Sequence, residues 1–139
     1  QDAISLAHKI AVLDQGKVVQ MGTPKALFDQ PFTPAIARFF GEINIFNQEE
    51  FQHFDIELEK ADFYGIRPEH ITYSLTPEKN SQAAVIMGET FHGLWRKYRI
   101  KLSSQMELDL MVDAQVPIEG KEVFITLAPA YLLMFHKKD

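Results

Sequence analysis

The residue types that most often carry catalysis or bind metals are present, but their spacing forms no familiar site. The five histidines stand at positions 8, 53, 70, 92 and 136, and none has a partner three or four residues away, as zinc ligands often do. The chain has no cysteine. Its serines, in SLA and SSQ, lack the strand–turn–helix setting of a hydrolase nucleophile. We therefore predict that this chain has no catalytic residue, no metal site and no bound cofactor.

The segment Leu94–Arg99, LWRKYR, combines aromatic rings with three cations. An oligonucleotide-binding barrel uses such a segment to stack on bases and contact phosphates. The formal charge of the chain is −5, with 14 basic and 19 acidic residues, and this balance opposes nucleic-acid binding. We predict no nucleic-acid partner. Trp95 and Arg96 are candidates for a solvated strand face or a subunit contact.

Two further sets of charged residues can form ion pairs. Pro68 can begin a helical turn, because the first helical position needs no N–H, and Arg67 and Glu69 beside it can form an exposed pair of little energetic value. On two alternating segments further along the chain, cations face acids across a predicted hairpin. We expect cross-strand pairing there of Glu107 and Asp109 with Arg99 and Lys101.

Residues 1–42, which we call the tail, contain strong signals for local structure. The apolar spacing in Gln1–Ile10 favours a helix, and Asp14–Gly16 favours a two-stranded hairpin. Thr23-Pro24 and Thr33-Pro34 each combine a capping hydroxyl with a proline at the first helical position. We predict short helices at 24–29 and 34–40, formed only where a packing surface is supplied.

Residues 43–139, which we call the β domain, are mostly short strands with one apolar face. Gly88 indicates a bend or bulge in one of them, and Ile56–Glu59 alternates as a half-buried strand does. We predict a small OB-like barrel, so that the whole chain is mainly β with short helices, of the α+β class. GIRPEHI (Gly65–Ile71) and TLAPAYL (Thr126–Leu132) both run strand, proline, two residues, aliphatic, which reflects either two related half-units or chance.

The sequence closely resembles the end of the ATP-binding subunit of an ABC importer, of the subclass that transports maltose, sulfate, polyamines, iron or molybdate. Gly16–Pro24 matches the family pattern G-x-[IV]-x-Q-x-G-[TS]-P, and YGIRPEHI (Tyr64–Ile71) contains G-[IV]-R-P-E-x-[IV]. Gly88–Leu102 and Val123–Phe135 look like the family's transport-associated β domain. Gln1–Ala3 match residues that follow the switch-loop histidine. We expect that histidine just before Gln1, in a longer protein of which this chain is a truncated part.

The resemblance implies a division of labour within that longer protein. Residues 1–42 would be the C-terminal tail of the nucleotide-binding domain and residues 43–139 the regulatory domain. The sequence contains no G-x-x-x-x-G-K-[ST] loop, so we expect ATP and magnesium to be bound and hydrolysed elsewhere in the intact protein. The regulatory domain would join two ATPase subunits in a homodimer and help couple hydrolysis to solute import.

The resemblance also implies partners, a location and a candidate interface. The partners would be membrane permease subunits and a solute-binding protein, and the location would be the cytoplasm, at the inner face of the membrane. Arg67, Pro68 and Glu69 would lie at the joint of the regulatory domain, close to the subunit contact. The alternative is a stand-alone β module that binds a small ligand such as an oxyanion.

Overall fold

The computed structural model describes residues 2–6 and 8–137 of the chain. Within these residues, eleven strands form three antiparallel sheets, and the helices are few and short. The prediction of a mainly β chain with short helices, of the α+β class, is confirmed.

The first sheet lies in the tail and has the order β1 (Asp2–Leu6), β2 (Lys9–Asp14), β3 (Lys17–Gly22). The predicted helix over residues 1–10 is wrong, because the backbone of β1 pairs antiparallel with β2. A short apolar run fits either structure, and the neighbouring strand decides between them. Gln1 and Ala7 lie outside the described residues. The β2–β3 hairpin is confirmed, and its two loop residues, Gln15 and Gly16, both have positive φ (51° and 78°), as type I′ turns require.

Two helices follow, at the positions that the threonine–proline pairs predict: α1 (Pro24–Asp29) and α2 (Pro34–Phe40). The hydroxyls of Thr23 and Thr33 each accept a hydrogen bond of 3.1 Å from the backbone N–H three residues later. Both helices pack on the first sheet, and this sheet supplies the surface that such short helices need. The small core of the tail consists of Val12, Leu27 and Ile36, with Ile10, Val19 and Phe40 partly buried around it. Phe39 of α2 lies outside this core and is 53% exposed.

The β domain contains two sheets and one more short helix. The five-stranded sheet has the order β6-β10-β7-β8-β9, and the three-stranded sheet has the order β11-β5-β4. The elements are β4 (Asn44–Asn47), α3 (Gln48–Phe51), β5 (Phe63–Ile66), β6 (Ile71–Ser74), β7 (Gln82–His92), β8 (Trp95–Leu102), β9 (Glu107–Asp113), β10 (Glu122–Leu127) and β11 (Leu133–Phe135).

The core of the β domain is built from the alternating apolar faces that the sequence predicts. Every second residue is buried in β8 from Tyr98 onward and throughout β9 and β10, as at Leu108 and Val123. The register of β7 against β8 shifts between Ile86 and Gly88, which confirms the predicted bulge. The expected strand at Ile56–Glu59 is wrong, because this segment has no strand pairing and runs as irregular chain.

The two segments with a shared proline pattern form equivalent turns. A 3₁₀ turn at Pro68–His70, the first proline corner, joins β5 to β6, and another at Pro129–Tyr131, the second proline corner, joins β10 to β11. The residues that precede the prolines have nearly equal dihedral angles (φ −73°, ψ 144° and φ −76°, ψ 125°). Since β5 pairs with β11 and β6 with β10, each segment crosses from one sheet to the other.

The two sheets of the β domain surround one core without a continuous ladder of strand pairs around a closed barrel. The two crossings at the proline corners connect them. A third connection comes from Asn44, which is 7% exposed. Its side-chain amide donates to the carbonyl of Asp109 (2.9 Å) and accepts from the Asp109 N–H (2.7 Å), so it imitates a neighbouring strand at the edge of β9.

Candidate functional site

The described residues contain no cluster of three or more His, Cys, Asp or Glu side chains that could hold a metal ion. None of the helices described is long and apolar enough to cross a membrane.

Arg67 is the candidate residue with the most unusual surroundings. It precedes the first proline corner, and only 1% of its surface is exposed. The expected ion pair with Glu69 is wrong, since no such pair occurs among the ion pairs of residues 8–137 and Glu69 is exposed. The guanidinium instead donates three hydrogen bonds to backbone carbonyls: to Phe28 (2.9 Å), Ala37 (3.1 Å) and Glu42 (3.1 Å).

These carbonyls explain how a buried cation is tolerated. Phe28 lies in the last turn of α1 and Ala37 in the last turn of α2, where carbonyls have no partner within the helix and the helix dipole is negative. Arg67 therefore caps the ends of both helices with one planar group. Burial is the main influence on the pKa of Arg67 and lowers it, and the charge of Glu69 acts in the opposite direction.

The guanidinium also packs closely against Phe28 and Gly41. Its central carbon lies 3.8 Å from the centroid of the Phe28 ring, which is a cation–π contact. A Cβ atom placed on Gly41 would lie 3.3 Å from Nη1 of Arg67, so a larger residue would crowd the group. The tail is thus fastened to the β domain at Arg67, by contacts that span 25 to 39 residues of sequence.

The two other residues of this candidate segment have simpler roles. Pro68 is buried at the start of the 3₁₀ turn, as its missing N–H allows. Glu69 points into solvent beside it.

Trp95 and Arg96 lie on a separate element, the hairpin of β7 and β8. Trp95 is 44% exposed, and its neighbours at the tip, Phe91 and Leu94, are 63% and 80% exposed. Arg96 bonds Oε2 of Glu89 (2.6 Å) and the carbonyl of Ala114 (3.0 Å). Together these residues form an exposed apolar tip whose one cation is neutralised, which we call the hairpin tip.

Two of the three basic residues that follow on β8 are also paired with acids. Arg99 pairs with Glu107 (3.1 Å) and Asp109 (3.2 Å), as predicted, and Lys97 pairs with Glu42 (2.7 Å). These hydrogen bonds raise the pKa of Lys97 and of Arg99. The expected partner of Lys101 is not within ion-pair distance in the part of the chain that the structure describes. With Arg96, Lys97 and Arg99 paired to carboxylates, the strand offers little free charge to a phosphate backbone.

Sequence reasoning did not find the partners of Arg67. Phe28 and Gly41 enclose the guanidinium, yet they lie 39 and 26 residues before it, and no local pattern links them. A local signal of this close approach is Gly41, which follows α2, since a residue without a side chain leaves room beside Nη1 of Arg67.

The TOBE domain family matches residues 64–135, just over half of the chain. A sulfate/thiosulfate import ATP-binding protein, CysA, of Nephroselmis olivacea is 29% identical over 84% of this chain. A spermidine/putrescine import ATP-binding protein, PotA, of Borrelia garinii is 29% identical over 99% of it. An uncharacterized ABC transporter ATP-binding protein, YdcT, of Escherichia coli K12 is 27% identical over 96%. The chain spans only 29 to 43% of the length of these three relatives.

Proposed function

The chain belongs to the TOBE domain family, and from that premise we propose that it is the regulatory and subunit-joining region of an ABC importer ATP-binding protein. The alignments with the polyamine import protein and with YdcT cover nearly the whole chain and so include the tail as well as the β domain. The longer protein would bind ATP and magnesium and work with permease subunits and a solute-binding protein. It would lie at the cytoplasmic face of the membrane.

The observation that carries this proposal is the contact made by Arg67. A regulatory domain can respond to movements of an ATPase domain only if direct contacts join the two domains. Here one buried side chain of the β domain holds the ends of two tail helices through Phe28 and Ala37, and a third bond reaches the connecting residue Glu42. A displacement of the tail is therefore passed to the first proline corner.

The second part of the proposal is a homodimer formed through the β domain. A permanent contact between two regulatory domains makes the encounter of their ATPase domains effectively intramolecular, so that closure becomes a hinge movement. The hairpin tip suits such a contact, because Phe91, Leu94 and Trp95 present apolar and aromatic surface to solvent while the nearest cation, Arg96, is paired. Trp95 and Arg96 are thus proposed interface residues.

Sedimentation equilibrium of the 139-residue chain at micromolar concentration tests the dimer. We expect a dimer mass, and a shift toward monomer when Leu94→Ser removes the most exposed side chain of the hairpin tip. Val18→Ser is the matched control, because Val18 is 54% exposed but lies on the tail sheet. A strict monomer at high concentration, or equal effects of the two substitutions, would contradict a contact at the hairpin tip.

A further inference from the structure

A cleft lies beside Arg67, between α1 and the two proline corners. Its volume is about 390 Å³, within the range of small-molecule sites. The walls come from three separate parts of the chain: Lys25 and Phe28 from α1, Arg67 and His70 from the first corner, and Tyr131 from the second. A molecule in this cleft would contact the tail and the β domain at once.

One wall of the cleft is aromatic. The rings of His70 and Tyr131 are stacked, with centroids 4.3 Å apart, and the ring of Phe28 meets His70 edge-on at 6.2 Å. Tyr131 is 50% exposed, so part of its surface remains open. A flat ring is the shape that such a wall accepts.

The charge of the cleft is positive and incompletely matched. Asp29 is the acid at its edge, and its carboxylate is bound by Lys25 at 2.5 Å. Arg67 has no carboxylate within ion-pair distance among the described residues, although buried cations usually have one. Its Nε is also one of two buried side-chain polar atoms in the described chain without a hydrogen-bond partner.

We propose that this cleft binds a small planar carboxylic acid. The ring lies against Tyr131 and His70, and the carboxylate takes the side of Lys25 and Arg67, where it supplies the missing negative charge. This proposal does not depend on the chain being part of a transporter, since it rests on the cleft alone.

NMR titration of the full 139-residue chain tests the proposal with three probes. Benzoate has both the ring and the charge, benzamide has the same shape without the charge, and inorganic phosphate has charge without a ring. The signals to follow are the Arg67 Nε–H and the ring protons of His70 and Tyr131. We expect a saturable shift with benzoate below about 10 mM, the range expected for a ligand of this size. We expect affinities at least about tenfold weaker for benzamide and for phosphate.

Substitutions at exposed cleft residues complete the test without disturbing the core. Tyr131→Ala and Lys25→Gln should each weaken benzoate binding several-fold, whereas Lys17→Gln, on the tail hairpin, should leave it unchanged. The proposal is overturned if no probe gives a saturable shift at the cleft, if benzamide or phosphate binds as tightly as benzoate, or if Tyr131→Ala has no effect.

Discussion

Replacing Arg67 by methionine should destabilise the chain, because three backbone carbonyls would lose their donor inside the protein. Hydrogen bonds to a charged group contribute about 1.5–3 kcal/mol each, so the three bonds set an upper limit of roughly 5–9 kcal/mol. Methionine also removes a buried charge, whose desolvation costs several kcal/mol. We expect the free energy of unfolding to fall by about 2–4 kcal/mol after this offset.

Urea unfolding followed by circular dichroism measures this difference, and hydrogen exchange locates it. The loss should be greatest in α1 and α2, whose terminal carbonyls Arg67 caps. Arg99→Met is the matched control, because Arg99 has two ion pairs but its side chain is 49% exposed, and such pairs contribute about 1 kcal/mol or less. Arg67→Lys should recover only part of the loss, since an ammonium group lacks the planar fork that reaches three carbonyls and stacks on Phe28.

Two outcomes would refute this reasoning. Arg67→Met could be as stable as the parent chain, which would mean that water satisfies the carbonyls at no cost. Alternatively, Arg67→Met and Arg99→Met could be equally destabilising, which would mean that burial of the guanidinium has no energetic importance.

Three further predictions concern nucleotide, local stability and packing. Calorimetric titration of the chain with Mg-ATP should give no saturable heat, because the sequence has no phosphate-binding loop; micromolar binding would contradict this. Hydrogen exchange should be faster across residues 23–41 than in β8, β9 and β10, because the tail core is small, and equal protection would place the domain boundary elsewhere. Gly65→Ala should lower the free energy of unfolding by about 1–3 kcal/mol through overpacking, since its Cβ would lie 2.8 Å from Cδ1 of Ile43. Gly88→Ala is the control, because the space around Gly88 is open, and thermal unfolding should show a smaller loss of stability for it.

Local signals in the sequence predicted much of the fold. The hydroxyls of Thr23 and Thr33 cap helices by accepting from N–H groups only three residues later. The alternation of apolar and polar residues in β8, β9 and β10 likewise identifies the buried face of each strand. The errors lie where distant parts of the chain decide. The sequence of β1 is compatible with either a helix or a strand, and its pairing with β2 selects the strand.

The short helix α3 was missed although its signal was local. The side chains of Asn47 and Glu50 form a reciprocal capping box there, and the pattern of Asn followed three residues later by Glu indicates such a helix.

Burial of the candidate site could not be predicted from its own segment. Arg67 and Glu69 stand two residues apart and invite an ion pair, whereas the actual partners of Arg67 are carbonyls at the ends of two helices. Backbone carbonyls carry no side-chain identity, so no residue pattern marks them as partners. The exposed hairpin tip is different, because the alternation of Trp95 with buried residues of β8 already places its side chain outside the core.

The two strand crossings have a consequence for synthesis of the protein on the ribosome. In the described sheet, β6 pairs only with β10, and the crossing is completed when β11 pairs with β5. Residues 63–74 therefore emerge well before residues 122–135, which supply these partners. Until the later residues leave the exit tunnel, Ile66 and Ile71 cannot be fully buried. The β domain can complete its folding only after residues 122–135 have emerged, and until then its nascent form exposes apolar strands that a chaperone can bind.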